Sequence, residues 1–275
     1  MINEPQIYRH SPFQVGLVVF LFGIIGIGLL FAMDGSNYLF FIPAMFLLLI
    51  VFLFAFHSLT TKFIITNDDI SVQSFLGTKS LRWGEINRVS GRGFGIKLYN
   101  LDEDVAIAPN PQLSGYDEIV DVIGMKRPEL FNPLEYSEIT KSLVNLILLP
   151  LLGVMVMGVG IFLFLKLSVN EDIFPILFLL VIGLVIVVSS FAAPQSLTMD
   201  GKSLIVKYIL NQKTFLANEI QSIELKFQST RNGKIYFVMI NLIGGKSVRL
   251  SGLSLSLPIV YLTLKNWHRK STVSL

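Results

Sequence analysis

Four long apolar runs, residues 15–33, 38–56, 143–165 and 173–193, contain no Asp, Glu, Lys, Arg or His. At roughly 1.5 Å per residue, a 19-residue helix spans about 29 Å, close to the hydrocarbon thickness of a bilayer. The runs therefore read as membrane-spanning helices, and they come in pairs. The links at residues 34–37 and 166–172 are too short for anything but a turn, so each pair reads as a hairpin. A cleaved signal segment does not fit the first run. Its apolar core is too long, and a second span follows at once.

Each hairpin is followed by a stretch with the short period of half-buried strands. After the first hairpin, strands are expected at residues 62–66, 70–76 and 79–83, then from Glu85 to about Ser90, then at 96–99 and 105–108. Turns are expected at 67–69, 77–78 and 102–104, and the glycines at 91, 93 and 95 surround a further reversal. A helix should start at Ser114, with Asp117 in a variant of the capping box and Ile119, Val122 and Ile123 on one face. After the second hairpin, Ile223, Leu225 and Phe227 alternate with Glu224, Lys226 and Gln228. Asn232-Gly233 and Gly244-Gly245 predict tight turns. Pro258 belongs in the first turn of a closing helix. Residues 128–142, rich in Pro and Glu, read as a linker.

The two soluble stretches read as copies of one another. Residues 63–89 align without a gap on residues 197–223, 134 positions later. Val72 falls on Val206, Leu76 on Leu210, Lys79 on Lys213 and Glu85-Ile86 on Glu219-Ile220. The same offset carries Gly26 onto Gly160 inside the spans. A repeat of this length predicts a duplicated unit. The matched glycines are expected at points of close helix packing.

Composition agrees with a membrane protein: 52% of residues are hydrophobic and 15% charged, against roughly 25% charged in soluble domains. No cysteine is present, which excludes disulfides, thiolate metal sites and cysteine nucleophiles. The three histidines, His10, His57 and His268, show no HxH or HExxH spacing, so no metal site is expected. Asp102-Glu103-Asp104 reads as a solvated turn. The glycines of residues 90–95 lack the Gly-Lys-Ser/Thr of a phosphate loop. Trp83 reads as packing. No catalytic, cofactor-binding or metal residue is expected, and no cofactor.

Charge sets orientation and suggests a partner. Short turns on one side and long basic segments on the other put both modules and both termini in the cytoplasm of a multi-pass plasma-membrane protein. Residues 60–142 carry nine Lys and Arg against twelve Asp and Glu, a net of −3; residues 194–275 carry eleven against three, a net of +8. Such asymmetry points to an anionic partner: lipid headgroups of the inner leaflet, or an acidic protein surface that includes another copy of the chain. Nucleic acid is the weakest candidate. Lys202, Lys213 and Lys234, expected at strand ends and turns, are the candidate contacts with an anionic surface.

The pattern Leu-Arg-Trp-Gly-Glu-Ile at residues 81–86, after the strand-turn-strand of residues 63–74, resembles the bacterial pleckstrin-homology-type (bPH) membrane proteins. In that family a transmembrane hairpin precedes such a domain, often in tandem. The second module departs from the pattern: Ala217 stands at the position of Trp83, and Asp200-Gly201 at that of Thr66-Asn67. The resemblance implies a membrane address and a fold, an antiparallel β-roll closed by a C-terminal helix. It implies no activity. The expected architecture is a duplicated membrane protein: a transmembrane hairpin at 13–56, a β-rich PH-like domain at 60–127, a linker at 128–142, a second hairpin at 143–193 and a second PH-like domain at 194–270. The expected role is non-enzymatic binding or scaffolding at the membrane surface, with homo-oligomers allowed. The competing class is a transporter or channel component, disfavoured because the spans hold no ionisable group.

Overall fold

The computed structural model describes residues 4–32, 38–104, 106–142, 144–166, 173–231 and 233–273. The links 34–37 and 167–172 and the turn residue Asn232 lie outside the described residues. The chain divides into two compact units, residues 1–89 with 97–119, and residues 90–96 with 120–275.

In the first unit, the apolar runs form helices α1 (Pro12–Ala32) and α2 (Tyr38–Thr60). Both are long and apolar enough to cross a membrane. A short strand before them, β1 (Gln6–Arg9), pairs antiparallel with β2 (Lys62–Ile65), which begins directly after α2. Strands β3 (Asp69–Ser74) and β4 (Gly77–Arg82) complete a four-stranded sheet in the order β1-β2-β3-β4. The period of two drives Phe63, Ile65, Ile70 and Leu81 into the interior. At roughly 1.5–3 kcal/mol for each fully buried apolar side chain, this face holds the sheet to its core.

After β4 the chain makes one 3-10 turn, Trp83–Glu85. Glu85 therefore does not open a strand, as its Glu-Ile pattern suggested. Its carboxylate Oε2 accepts the Arg82 backbone N–H at 3.1 Å, which closes the turn. Strand β5 (Arg88–Ser90) starts three residues later and forms a three-stranded sheet with β6 (Lys97–Tyr99) and β7 (Ala106–Ile107). Helix α3 (Tyr116–Lys126) follows, with Tyr116 and Ile119 fully buried; its residues from Val120 onward belong to the second unit.

The second unit begins its first sheet within the stretch that reads as a linker. There, residues Pro128–Phe131 form a 3-10 turn with Phe131 buried, and Glu138–Thr140 is strand β8. Strand β8 pairs with β9 (Ser196–Asp200), and β10 (Ser203–Lys207) and β11 (Gln212–Leu216) extend the sheet in the order β11-β10-β9-β8. Between β8 and β9 lie a π-turn (Val144–Leu148) and the membrane-length helices α4 (Leu149–Lys166) and α5 (Phe174–Ala192). A 3-10 turn, Ala217–Glu219, leads to β12 (Ile220–Thr230), β13 (Gly233–Leu242) and β14 (Ser247–Leu250). Gly244 and Gly245, at φ +105° and +81°, make the β13–β14 reversal that L-residues with side chains resist. Helix α6 (Leu257–Val273) closes the unit and buries Ile259, Val260, Leu264 and Trp267.

Candidate functional site

Strand register fixes which end of each sheet lies beside the membrane-length helices. In the first unit, Lys62 at the exit of α2 pairs with Gln73, and Ile65 pairs with Ile70. The β3–β4 reversal at Phe75-Leu76 therefore lies at the α2 end of the sheet, and the β2–β3 turn at the far end. Phe75 confirms this by contact: its ring centroid is 5.0 Å from that of His57 and 6.4 Å from that of Phe56, both on α2. Phe75 and Leu76 are 57% and 76% exposed, so the tip presents apolar surface beside the end of a span. The second unit repeats the register. Ser196, four residues after α5, pairs with Lys207, and the β10–β11 reversal carries exposed Ile209 and Leu210.

Beside the first tip is a cavity of about 610 Å³. Its wall combines polar groups from His10, His57, Ser58, Thr61, Ser74, Thr78, Lys79 and Asn110 with apolar surface from Phe63, Val72, Leu76, Ala106, Ala108 and Leu113. No acidic residue lines it among the described residues. His10 is buried, whereas Lys79 is exposed at its rim. His57 Nδ1 is buried and finds no hydrogen-bond partner among the described residues. The α2 carbonyls nearby are taken: Thr60 Oγ1 donates to Phe56 O and Thr61 Oγ1 to His57 O, each at 2.7 Å.

The second unit holds a cavity of about 480 Å³ at the entry to its own hairpin. Ser142 and Asn145, at the start of the membrane-length helical segment, form one side, and Arg92, Tyr236, Arg249 and Ser251 line the rest. Again no acid lines it among the described residues. Asn145 Nδ2 donates to Gly252 O at 3.1 Å, and the Arg249 guanidinium lies 3.9 Å from the centroid of the Phe237 ring. Close by in sequence, Lys141 is buried and its Nζ donates to Ser190 O at 2.9 Å, near the C-terminal end of α5. Burial pushes the Lys141 ammonium below the usual lysine range, while the carbonyl end of the helix favours the cation.

The three lysines singled out by the sequence do not form one patch. Lys202 lies in the β9–β10 turn, at the end of the sheet remote from α5, whereas Lys213 pairs with Val206 near the end that meets it. The five-residue strand between the two ends is about 16 Å long. Lys213 Nζ stands 5.5 Å from the Tyr208 ring centroid and Lys234 Nζ 4.7 Å from that of Phe227. Of the three, Lys213 is placed beside the apolar tip. The acidic turn is held locally, with Glu103 paired to Arg88 at 2.7 Å. The glycines of residues 91–95 form a turn in which Gly95 N–H donates to Arg92 O at 3.1 Å.

Sequence reasoning missed the two cavities because His10 and His57 are separated by a whole hairpin. Only the β1–β2 pairing, Arg9 opposite Lys62, brings them to one place. A comparison with family models and with curated proteins finds no matching family and no matching protein.

Proposed function

We propose that the chain is a non-enzymatic integral membrane protein that binds anionic partners at the membrane surface, through two PH-like modules arisen by duplication. The observation that carries the reading is the pair of cavities, one in each unit at the ends of the membrane-length helices, whose walls hold cationic side chains and no acid among the described residues. The order four-stranded sheet, 3-10 turn, three-stranded sheet and helix, which the chain runs through twice, supports the duplicated PH-like roll. The excess of basic residues in residues 194–275 supports an anionic partner, with inner-leaflet lipid ahead of an acidic protein. The apolar tips at Phe75-Leu76 and Ile209-Leu210 suit the boundary between headgroups and acyl chains, where each side chain keeps its apolar surface from water.

The test is purification of the full-length protein from native membranes in a mild detergent, followed by identification of retained lipids. Anionic lipids should be enriched over their share of the membrane, and the enrichment should fall with salt as counterions screen the charges. Lipids retained in their bulk proportions would defeat the reading. Orientation has its own test. Single cysteines at Ser36, Asn110 and Thr272 should react with an impermeant reagent from outside intact cells at position 36 alone.

A further inference from the structure

We propose that the cavity of the first unit is a specific site for a phosphate ester carrying an apolar group, held between Lys79, His10 and His57. The inference rests on the membrane-surface reading above and names the ligand chemistry of one site. The wall has two characters. Hydroxyls of Ser58 and Thr78 and the amide of Asn110 offer neutral donors, the Thr61 and Ser74 hydroxyls being spent on His57 O and Gly77 O, while Phe63, Val72 and Leu76 offer apolar contact. Lys79 forms no ion pair among the described residues, and no carboxylate lines the cavity to neutralise it. A phosphate oxygen would supply a charge-assisted partner for the ammonium and an acceptor for hydroxyl donors. One electrostatic feature opposes an anion: the C-terminal end of α2 carries about half a negative charge from its dipole. Thr60 and Thr61 donate to its last carbonyls, and the full charge of Lys79 exceeds it.

The other unit shows how the site is closed. Ser74 corresponds to Tyr208 at the repeat offset, and Lys79 to Lys213. The serine ends β3 and the tyrosine directly follows β10, each at its reversal, since Ser74 pairs with Gly77 and Tyr208 N–H donates to Asn211 O. Tyr208 is half-buried, and Lys213 rests over its ring. In the first unit a serine leaves that volume open and leaves the lysine facing a cavity. The chain thus contains its own blocking residue, already tolerated at the corresponding place.

The experiment uses full-length protein in a neutral detergent and three probes: a short-chain phosphatidic acid, a phosphatidylcholine of the same chain length, and glycerol 3-phosphate. Binding is read by native mass spectrometry and calorimetry. The phosphatidic acid should occupy one site and bind about tenfold more tightly than the choline lipid. Ser74→Tyr and Lys79→Ala should each weaken it about tenfold, while Lys213→Ala leaves it within about twofold. Equal affinity for glycerol 3-phosphate would assign the site to soluble phosphate esters; binding of the lipid alone would assign it to headgroups. If Ser74→Tyr and Lys79→Ala both bind as the parent does, the cavity is not the site, even where anionic lipid is still preferred at the surface. If no probe shows anionic preference, both this proposal and the surface-binding reading fall. Should Ser74→Tyr lose its thermal transition, the exposed Lys79→Ala carries the decision alone.

Discussion

The two hairpins of this protein are alike in length and composition and unlike in packing. Helices α4 and α5 bury Gly153, Gly160, Ile176, Gly183 and Ser190. A Cβ at Gly183 would stand 2.7 Å from Gly153 O, and one at Gly153 would stand 2.9 Å from Gly183 O, so the two backbones approach as only glycines permit. Helices α1 and α2 bury no described residue in their spans, and a groove of about 320 Å³ opens between them beside Phe22, Gly26 and Leu48. A Cβ at Gly26 would meet only Leu48 Cδ2, at 3.9 Å, whereas one at the matched Gly160 would meet Leu180 at 3.0 Å. Within a bilayer no hydrophobic gain drives helices together, so small residues matter only where backbones close on them. Glycine content alone does not reveal which hairpin is tight.

The soluble sheets differ in a complementary way, because the same tie is made from different places. In the first unit the Trp83 indole N–H donates to Thr66 O, in the turn region after β2. In the second, alanine occupies the corresponding position 217, and the indole of Trp267 on α6 donates to Gly201 O, in the turn after β9. Both indoles are buried. The largest expected effects follow. Trp83→Ala and Trp267→Ala should each cost about 3–5 kcal/mol, since each removes a large buried ring and one hydrogen bond to a turn carbonyl, Ser271 Oγ still donating to Gly201 O at 3.0 Å in the second case. Calorimetric unfolding of the full-length protein should show two comparable losses. A loss confined to one variant would mean that the two indoles are not equivalent ties.

A smaller effect separates the hairpins. Gly183→Ala should destabilise the second hairpin by about 1–3 kcal/mol through overpacking against Met157 and a backbone carbonyl. Gly26→Ala in the first should be neutral or slightly stabilising, because alanine is the better helix former and space is open. Protease susceptibility and melting in detergent would both register the difference. Equal responses would erase the contrast between the hairpins.

Much of this architecture was legible in the sequence, and the reasons are physical. An uncharged run of bilayer length has few alternative readings, and alternation of period two marked β2, β3, β12 and β13. The 3-10 turn at Trp83–Glu85 was not legible, because a Glu followed by an isoleucine fits a strand start equally well. Strand β8 was hidden because three residues pair with partners beyond an entire hairpin, as Ile139 does with Leu197. The charge excess of the last 82 residues was visible, but its distribution to opposite ends of a sheet depends on register. His10 and His57, remote in sequence, gave no sign of sharing a cavity.

The first strands of the two units offer a comparison that pH can break. Tyr8 stands opposite Phe63, and Ile139 opposite Leu197, the residue that matches Phe63 in the repeat. Burial, followed by the charge of Glu118, raises the Tyr8 phenol to about 12. Its hydroxyl donates to Gln6 Oε1 at 3.0 Å and lies 3.4 Å from Glu118 Oε2. The neutral form is therefore favoured by folding. Its stabilising contribution is complete below about pH 10, the ordinary tyrosine value, and is lost as pH rises toward 12. Discounted for partial solvent access, the loss is about 1 kcal/mol. Tyr8→Phe should flatten the difference in unfolding between pH 10 and 12 relative to the parent. Identical alkaline profiles would show that Tyr8 titrates alike in both states.

The smallest effect is the most direct test of likeness between the units. Glu85 Oε2 accepts the Arg82 N–H at 3.1 Å, and Glu219 Oε2 accepts the Leu216 N–H at 2.9 Å. Each carboxylate reaches back three residues across a 3-10 turn, and each turn is closed by the following isoleucine N–H bonding to the first carbonyl of the turn. Both glutamates are exposed, so water can replace either bond and the net contribution is modest. Glu85→Ala and Glu219→Ala should each cost about 0.5–1 kcal/mol, and Glu85→Gln less than Glu85→Ala, since an amide oxygen still accepts the bond. The two sites share no partner, so the double variant should lose the sum of the single effects. A single effect above about 2 kcal/mol at only one of them would show a role beyond closing the turn and would break the correspondence that the repeat predicts.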